Sequence, residues 1–174
     1  FWSCNGEFTV TPKLLKSYQI YECEYVWYNN KQIKCQELTF AYQISKGKFQ
    51  IYIPFAKEKR WKFRTMELKN VVPFYHLCDK SIPIIVTKSY KDAYVLRRLG
   101  YNACCFLNEG TISDIEGIII WLFENEKKGI KTRNKCLELY KGSTYLEIPK
   151  EYGKDCWEFV YNHGKKKFEK WMNI

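Results

Sequence analysis

The sequence lacks the closely spaced cysteine and histidine pairs that build zinc-binding small domains. It holds only two histidines, His76 and His163, and none of its eight cysteines forms a Cys-x-x-Cys pair. A zinc ribbon requires paired ligands at short spacing, so the sequence shows no such site. Because no signal peptide is visible, we expect reduced cysteines in an intracellular, reducing compartment rather than a disulfide framework. No apolar run approaches the ~20 residues that span a bilayer, so no membrane segment is expected.

Acidic residues are fewer than basic residues. Lysine and arginine number 29 against 19 aspartates and glutamates, which gives a net charge of +10 and a pI near 9.1. This balance is typical either of a lysine-rich solvated surface or of a protein that attracts a polyanion such as nucleic acid. The excess of basic over acidic residues is denser in residues 1–75 than in the rest of the chain. Residues 1–75 hold 12 basic and 6 acidic residues. Since the chain begins with Phe1, we interpret it as part of a longer protein.

Two regions with different hydrophobic patterns follow one another. Residues 1–75 contain short aromatic and β-branched segments, which predict a small, basic, β-rich lobe. Within it we expect a hairpin of strands Tyr18–Tyr28 and Ile33–Tyr42, joined by a turn at residues 29–32. Residues 76–174 alternate strand-like apolar runs with helix-like segments, which predicts a mainly parallel sheet with helices on both faces. The expected fold class is therefore α/β, preceded by a β-rich lobe.

Three apolar runs of the second region end in polar or acidic residues. Ile82–Thr87 leads into Lys88, a second run ends at Glu109, and Ile118–Phe123 leads into the segment Glu124–Gly129. The carboxyl ends of parallel strands meet at the edge of the sheet where α/β proteins bind ligands. The sequence therefore predicts an acidic cluster at this edge, suited to a divalent metal near phosphates.

These segments resemble the Toprim domain of DnaG-type phage and organellar primases. In that family a strand is followed by Glu-Gly-x-x-Asp-Ala and a helix, and a later strand ends in Asp-x-Asp-x-x-Gly. Here the first motif reads Lys88-Ser89-Tyr90-Lys91-Asp92-Ala93, and the second reads Glu124-Asn125-Glu126-Lys127-Lys128-Gly129. The likeness covers roughly residues 71–174. It continues into Ile148-Pro149 and Lys154-Asp155, which are similar to the Pro and Lys-Asp that close many phage Toprim domains.

The resemblance implies a nucleotidyltransferase that makes short RNA primers on single-stranded DNA during DNA replication. It implies Mg²⁺ or Mn²⁺ as cofactor, and single-stranded DNA and ribonucleotides as partners. A replicative helicase and a zinc-binding domain, both outside this chain, are implied as further partners. The implied location is the cytoplasm of a phage-infected cell or an organelle.

The two motifs depart from the family pattern at their acidic positions. Glu124 and Glu126 replace aspartates, which keeps the charge but moves each carboxylate outward by roughly 1.5 Å. Lys88 falls where the family has a general-base or metal-ligand glutamate, and a protonated lysine attracts phosphate but cannot ligate Mg²⁺. We therefore predict an altered metal site, in which Glu109 replaces the missing carboxylate and Glu109, Glu124 and Glu126 are the metal ligands. Lys88 holds phosphate, and the predicted catalytic residues are Glu124, Glu126 and Lys88.

Other interpretations of the same residues stay open. The substituted first motif favours a catalytically inactive Toprim-like module for nucleic-acid binding or assembly, and a Toprim nuclease is a further alternative. Glu124 and Glu126 are also typical of acids in the first turn of a helix. Ser89 and Asp155 are typical helix caps, and Glu109 is typical of an ordinary loop.

A basic-aromatic segment at residues 59–64 is the predicted nucleic-acid surface of the lobe. Basic side chains neutralise phosphates, and the interleaved aromatic rings stack on unpaired bases. The alternative is a strand whose aromatic residues are core and whose lysines protect an exposed edge. The predicted nucleic-acid-binding residues are Lys59, Arg60, Lys62, Arg64 and Lys91.

Overall fold

The chain forms two compact units, which are described here in a computed structural model. The small unit comprises residues 10–68, and the large unit comprises residues 1–9 together with 69–174. The division of the sequence into domains 1–75 and 76–174 stays a prediction. The structure adds that Cys4 and Phe8 lie in the core of the large unit. The residues that the structure describes are 2–28, 31–45, 47–57, 63–64, 71–107 and 112–173.

The small unit is a short helix followed by antiparallel strands. Thr11 followed by Pro12 predicts the start of a helix, with Thr11 as N-cap and proline in the first turn. Helix α1 (Pro12–Ser17) confirms this prediction, and the Thr11 hydroxyl accepts the N–H of Leu14 at 3.1 Å. The strands are β1 (Ile20–Glu22), β2 (Tyr25–Tyr28), β3 (Lys31–Lys34), β4 (Phe40–Ser45), β5 (Lys48–Tyr52) and β6 (Phe63–Arg64). Four of them form one sheet in the order β1-β4-β5-β6, whereas β2 and β3 form a separate two-stranded sheet.

Both long strands of the predicted hairpin are interrupted. The Tyr18–Tyr28 segment contributes β1 to the larger sheet and β2 to the separate pair, and the break falls where the N–H of Cys23 donates to the carbonyl of Thr39. Lys31 and Gln32, predicted to lie in the turn, belong to β3. The prediction was wrong on these points because residue alternation continues through the break, so the pattern carries no sign of a change of partner.

Strands and helices alternate in the large unit. Its strands are all parallel, in the order β10-β9-β7-β8, which confirms the predicted α/β class with a β-rich lobe before it. A helical turn that Ser113 and Asp114 predict at residues 112–116 is not formed, and the backbone there is irregular. The elements are β7 (Ile84–Thr87), α2 (Tyr90–Arg98), β8 (Ala103–Cys105), β9 (Ile119–Trp121), α3 (Lys127–Leu139), β10 (Thr144–Tyr145), α4 (Cys156–His163) and α5 (Lys165–Met172).

Helices pack on both faces of this sheet. Ile85 faces a core built with residues of α2, α4 and α5. Trp121 points to the opposite face, where its ring lies 5.3 Å from that of Tyr140 at the end of α3. The apolar run that contains Cys104 and Cys105 predicts a buried strand with both cysteines in the core. Both are fully buried, which confirms this prediction. Of the helices that the structure describes, none has the length and apolar character needed to cross a bilayer.

Candidate functional site

The connection from β7 to α2 is held by a network around Asp92. Ser89 is the N-cap of α2, where its hydroxyl accepts the N–H of Asp92 at 3.1 Å and donates to the Asp92 carboxylate at 2.6 Å. The other carboxylate oxygen of Asp92 accepts the N–H of Trp157 at 2.9 Å. Asp92 is only 3% exposed. The carboxylate therefore ties the start of α2 to the start of α4.

Burial sets the protonation of this carboxylate. It raises the pKa of Asp92 to about 7, with repulsion from Asp155 as the next cause and a smaller one from Glu124. Hydrogen bonds from Ser89 and Trp157 oppose the shift, because they stabilise the charged form. The two motifs follow β7 and β9, which are neighbouring parallel strands. Both motifs therefore start from the same edge of the sheet.

The Lys154-Asp155 pair caps a helix. Asp155 is the N-cap of α4, and its carboxylate accepts the N–H of Glu158 at 2.7 Å. The Glu158 carboxylate in turn accepts the N–H of Lys154 at 2.7 Å. This reciprocal arrangement closely resembles a capping box. The interpretation of Asp155 as a helix cap is confirmed.

Lys88 lies at the carboxyl end of β7 and reaches α3. Its ammonium donates to the hydroxyl of Thr132 at 3.1 Å and lies 5.3 Å from the centre of the Phe123 ring. It also tends to lower the pKa of Cys136, against the larger effect of burial. Lys88 thus places a positive charge inside the candidate site, on the α3 side.

The segment from Glu124 to Gly129, which ends in the first turn of α3, is constrained by close backbone contacts. A side chain at Gly129 would place its Cβ 2.1 Å from the carbonyl oxygen of Glu124, so only glycine fits there. The backbone N–H of Asn125 donates to the carbonyl of Lys154 at 3.0 Å, and its side chain donates to the carbonyl of Ile148 at 2.8 Å. Glycine at this point of the motif is therefore explained by the carbonyl of Glu124, which packs directly against the first turn of α3.

Two carboxylates are the described donors of the predicted metal site. Glu124 is half-buried, and Glu126 is exposed at the N-cap position of α3. Within the described ranges there is no group of three His, Cys, Asp or Glu that could hold a metal ion. Mg²⁺ is often bound by one or two carboxylates, with water and substrate phosphates as its other ligands. Two carboxylates therefore fit an ion whose remaining ligands are water and a substrate phosphate. The predicted third ligand, Glu109, lies outside the described residues.

A basic face on α3 was not identified from the sequence. Lys128, Lys131, Thr132 and Lys135 line a groove of about 300 Å³, and the Thr132 hydroxyl accepts a hydrogen bond from Lys88. The three α3 lysines are spaced three and four residues apart, which places them on one face of a helix. That spacing was visible in the sequence and could have revealed the face. Such a groove favours phosphate-bearing ligands.

The predicted nucleic-acid-binding residues fall on different parts of the chain. The ammonium of Lys91 lies 3.2 Å from the centre of the Trp157 ring, and burial lowers the pKa of Lys91. Arg64 belongs to β6. Lys59, Arg60 and Lys62 lie outside the described residues. The role of these residues in binding nucleic acid stays a prediction.

Solved structures of primases share this fold. The primase fragment of the bacteriophage T7 primase-helicase protein matches with a TM-score of 0.70 at 13% identity, over 98% of this chain and 73% of that one. The zinc-binding and RNA polymerase domains of the Aquifex aeolicus primase match with a TM-score of 0.67 at 13% identity, over 98% and 54%. A DnaG primase catalytic domain bound to single-stranded DNA matches with a TM-score of 0.58 at 16% identity, over 97% and 62%.

These matches show that the chain has a DnaG-type, primase-like fold, as the sequence motifs indicated. The chain spans little more than half the length of the Aquifex protein. No family model matches the sequence, and no curated protein matches it.

Proposed function

We propose that this chain is the primer-synthesising module of a DNA primase, with Toprim-type chemistry at the carboxyl edge of its parallel sheet. One observation carries the proposal: Glu124 and Glu126 follow β9 at this edge, next to the first motif, in a fold shared with DnaG-type primases. The proposed substrates are ribonucleotides and a single-stranded DNA template. The proposed cofactor is Mg²⁺ or Mn²⁺, held by Glu124 and Glu126, with Glu109 as a third ligand.

The chain's own residues would bind and orient the reactants. A divalent ion at the two glutamates would polarise a phosphoryl group and neutralise charge on it. Lys88 and the α3 lysines of the groove would attract the triphosphate. Asp92 would hold α2 against α4, and Gly129 would fix the loop that carries both glutamates.

The proposed partners follow the proteins that share the fold. One of them is a fragment of a primase-helicase protein, another includes a zinc-binding domain, and a third is bound to single-stranded DNA. We propose a replicative helicase and a zinc-binding domain as partners of this chain, in an intracellular, reducing compartment. The basic segment at residues 59–64 and Lys91 would hold the template.

A second candidate function is a non-catalytic module that binds nucleic acid. The observation that favours it is Lys88, which stands at the motif position of the family's glutamate and whose ammonium donates to Thr132. A cation there disfavours a divalent ion nearby and favours phosphate. The nuclease alternative stays a prediction.

Calorimetric titration with Mn²⁺ tests the proposed function. The protein is compared with a Glu124→Gln/Glu126→Gln variant and with a control, Glu138→Gln/Glu151→Gln, that removes two exposed carboxylates elsewhere. We expect Mn²⁺ binding that is lost in the first variant and kept in the control, and primer synthesis on single-stranded DNA that follows the same order. Retained DNA binding without metal binding or synthesis would reject the catalytic function and support the second candidate.

Lys88→Glu separates the two candidates further, because it restores the family's acid. If the edge is a metal site, the added carboxylate should raise Mn²⁺ affinity by about 10-fold, or ~1.4 kcal/mol. Lys88→Gln is the matched control, since it removes the cation without adding a ligand charge. Equal Mn²⁺ affinity in both variants would argue against a metal site at this edge.

A further inference from the structure

The β2–β3 hairpin exposes aromatic rings that no sequence motif assigned to a function. Trp27 is 72% exposed and Tyr25 is 48% exposed, and every residue of β3 is exposed. In the described part of the chain, β2 and β3 pair only with each other. Exposed large rings on a two-stranded sheet contribute little to a hydrophobic core, so they are accessible to a ligand.

The strand register sorts the hairpin into two different faces. Tyr25 is paired with Lys34 and Trp27 with Gln32, whereas Val26 is paired with Ile33. Directly opposed residues of antiparallel strands project to the same face, and neighbouring residues project to opposite faces. One face therefore carries Tyr25, Trp27, Gln32 and Lys34, and we name it the aromatic face.

We propose that the aromatic face is a stacking platform for single-stranded DNA, a proposal that rests on the proposed function and names a template contact for it. Rings two residues apart on a strand are separated by about 6.8 Å. This is twice the ~3.4 Å spacing of stacked bases in a duplex strand. The two rings therefore suit two unstacked bases of a single strand, and a paired duplex hides the base faces that they require.

The charge of the hairpin favours a nucleic acid over a protein as the occupant. Lys34 lies on the aromatic face itself and Lys31 lies at the turn end of β3, both exposed. The face carries no acidic residue, and residues 1–75 hold 12 basic against 6 acidic residues. Aromatic rings beside basic side chains are the combination with which proteins bind single strands without sequence preference.

The test measures binding of a fluorescein-labelled oligothymidylate of about 16 nucleotides to the whole 174-residue chain, by fluorescence anisotropy. Base stacking on one ring is worth roughly 5- to 150-fold in affinity, so Trp27→Ala should weaken binding by that factor and Tyr25→Ala by a smaller one. Trp27→Phe keeps a ring and should recover most of the affinity. Lys34→Gln should lower the slope of log K against log salt by about 0.7.

Ile33→Ala is the matched control on the same hairpin. It removes an exposed apolar side chain from the other face, so it reports on hairpin stability without touching the aromatic face. We expect it to bind the oligonucleotide like the unmodified protein. An equal loss in Ile33→Ala and Trp27→Ala would overturn the stacking proposal.

The remaining outcomes separate this inference from the proposed function. If the unmodified protein binds the oligonucleotide and Trp27→Ala binds equally well, the stacking platform is rejected while the proposed function stands. Self-association that Trp27→Ala abolishes, at unchanged DNA affinity, would assign the face to a second copy of the chain and also reject the platform. If the unmodified protein does not bind the oligonucleotide, both the platform and template binding by this chain fail.

Discussion

The two motifs at the sheet edge place their carboxylates in opposite environments. Asp92, in the first motif, is buried and accepts hydrogen bonds from Ser89 and Trp157. Glu126, in the second motif, is exposed, and its side chain makes no capping bond. An acid whose oxygens already accept protein donors is poorly placed to ligate a metal, whereas an exposed acid remains accessible to one. We infer that Asp92 holds the structure together, whereas Glu126 remains accessible to a ligand.

The largest expected effect comes from removing the buried acid. Asp92→Ala leaves the N–H of Trp157 and the hydroxyl of Ser89 without their acceptor, which should lower the free energy of unfolding by roughly 2–3 kcal/mol. Urea denaturation followed by circular dichroism measures the change. Asp114→Ala, which removes an exposed aspartate, is the control and should stay within about 0.5 kcal/mol. Equal stability of both variants would show that Asp92 does not anchor α2 to α4.

Gly129→Ala should disturb the second motif from within. Its Cβ would meet the carbonyl of Glu124, and overpacking of this kind costs about 1–3 kcal/mol. Alanine's better helix propensity offsets ~1 kcal/mol of that cost. We expect a net loss of up to about 2 kcal/mol in unfolding free energy, together with weaker Mn²⁺ binding because the loop moves. A stable variant with unchanged Mn²⁺ affinity would contradict the tight path of the loop.

The protonation of Asp92 should make the stability of the protein depend on pH. Burial raises the pKa of Asp92 to about 7, whereas in the unfolded chain the carboxyl titrates near its usual value of about 3.9. Between these values the folded protein holds a proton that the unfolded chain lacks, so stability should fall as pH rises from about 4 to about 7. Asp155, whose pKa burial also raises, contributes in the same direction.

Asp92→Asn should flatten this pH dependence, because an amide keeps the shape of the side chain and does not titrate. Urea denaturation at about pH 4.5 and about pH 7.5 compares the variant with the unmodified protein. Asp114→Asn serves as the control and should retain the original slope. Parallel stability profiles in all three proteins would refute the pKa shift of Asp92.

The smallest effect on stability is expected at Glu126. Glu126→Gln should change the free energy of unfolding by less than about 0.5 kcal/mol, because the side chain is exposed and makes no capping bond. The same variant should weaken Mn²⁺ binding in calorimetry. Glu138→Gln, an exposed glutamate on the same helix, should leave both quantities unchanged. A marked loss of stability at Glu126 would remove the contrast between the two motifs.

Local patterns predicted the parts of the fold that depend on neighbouring residues. The apolar runs predicted β7 and β9, and the cap at Thr11 placed the start of α1. The interruption between β1 and β2 was missed, since each half pairs with a strand that only the folded chain brings close. The irregular backbone at residues 112–116 was missed because a local capping signal does not suffice to form a helix without packing.

The candidate site was predicted in its position but only partly in its contacts. The apolar runs predicted that the two motifs would lie at one edge of the sheet, and the parallel pairing of β7 with β9 places them there. The bond between Lys88 and Thr132 was not foreseen, because the partners lie 44 residues apart. The basic face of α3 could have been predicted from the helical spacing of its lysines alone.

By itself the sequence determined the α/β class, the acidic ends of the strands and the helix starts, because each depends on short-range pattern and local hydrogen bonds. Only the tertiary structure decided which acids are anchored and which face solvent. The bond from Trp157 to Asp92 spans 65 residues, and burial of that carboxylate requires helices that are distant in sequence to pack together. Desolvation is a property of the assembled core, and it separates Asp92 from Glu126, two acids whose exposure the sequence does not reveal.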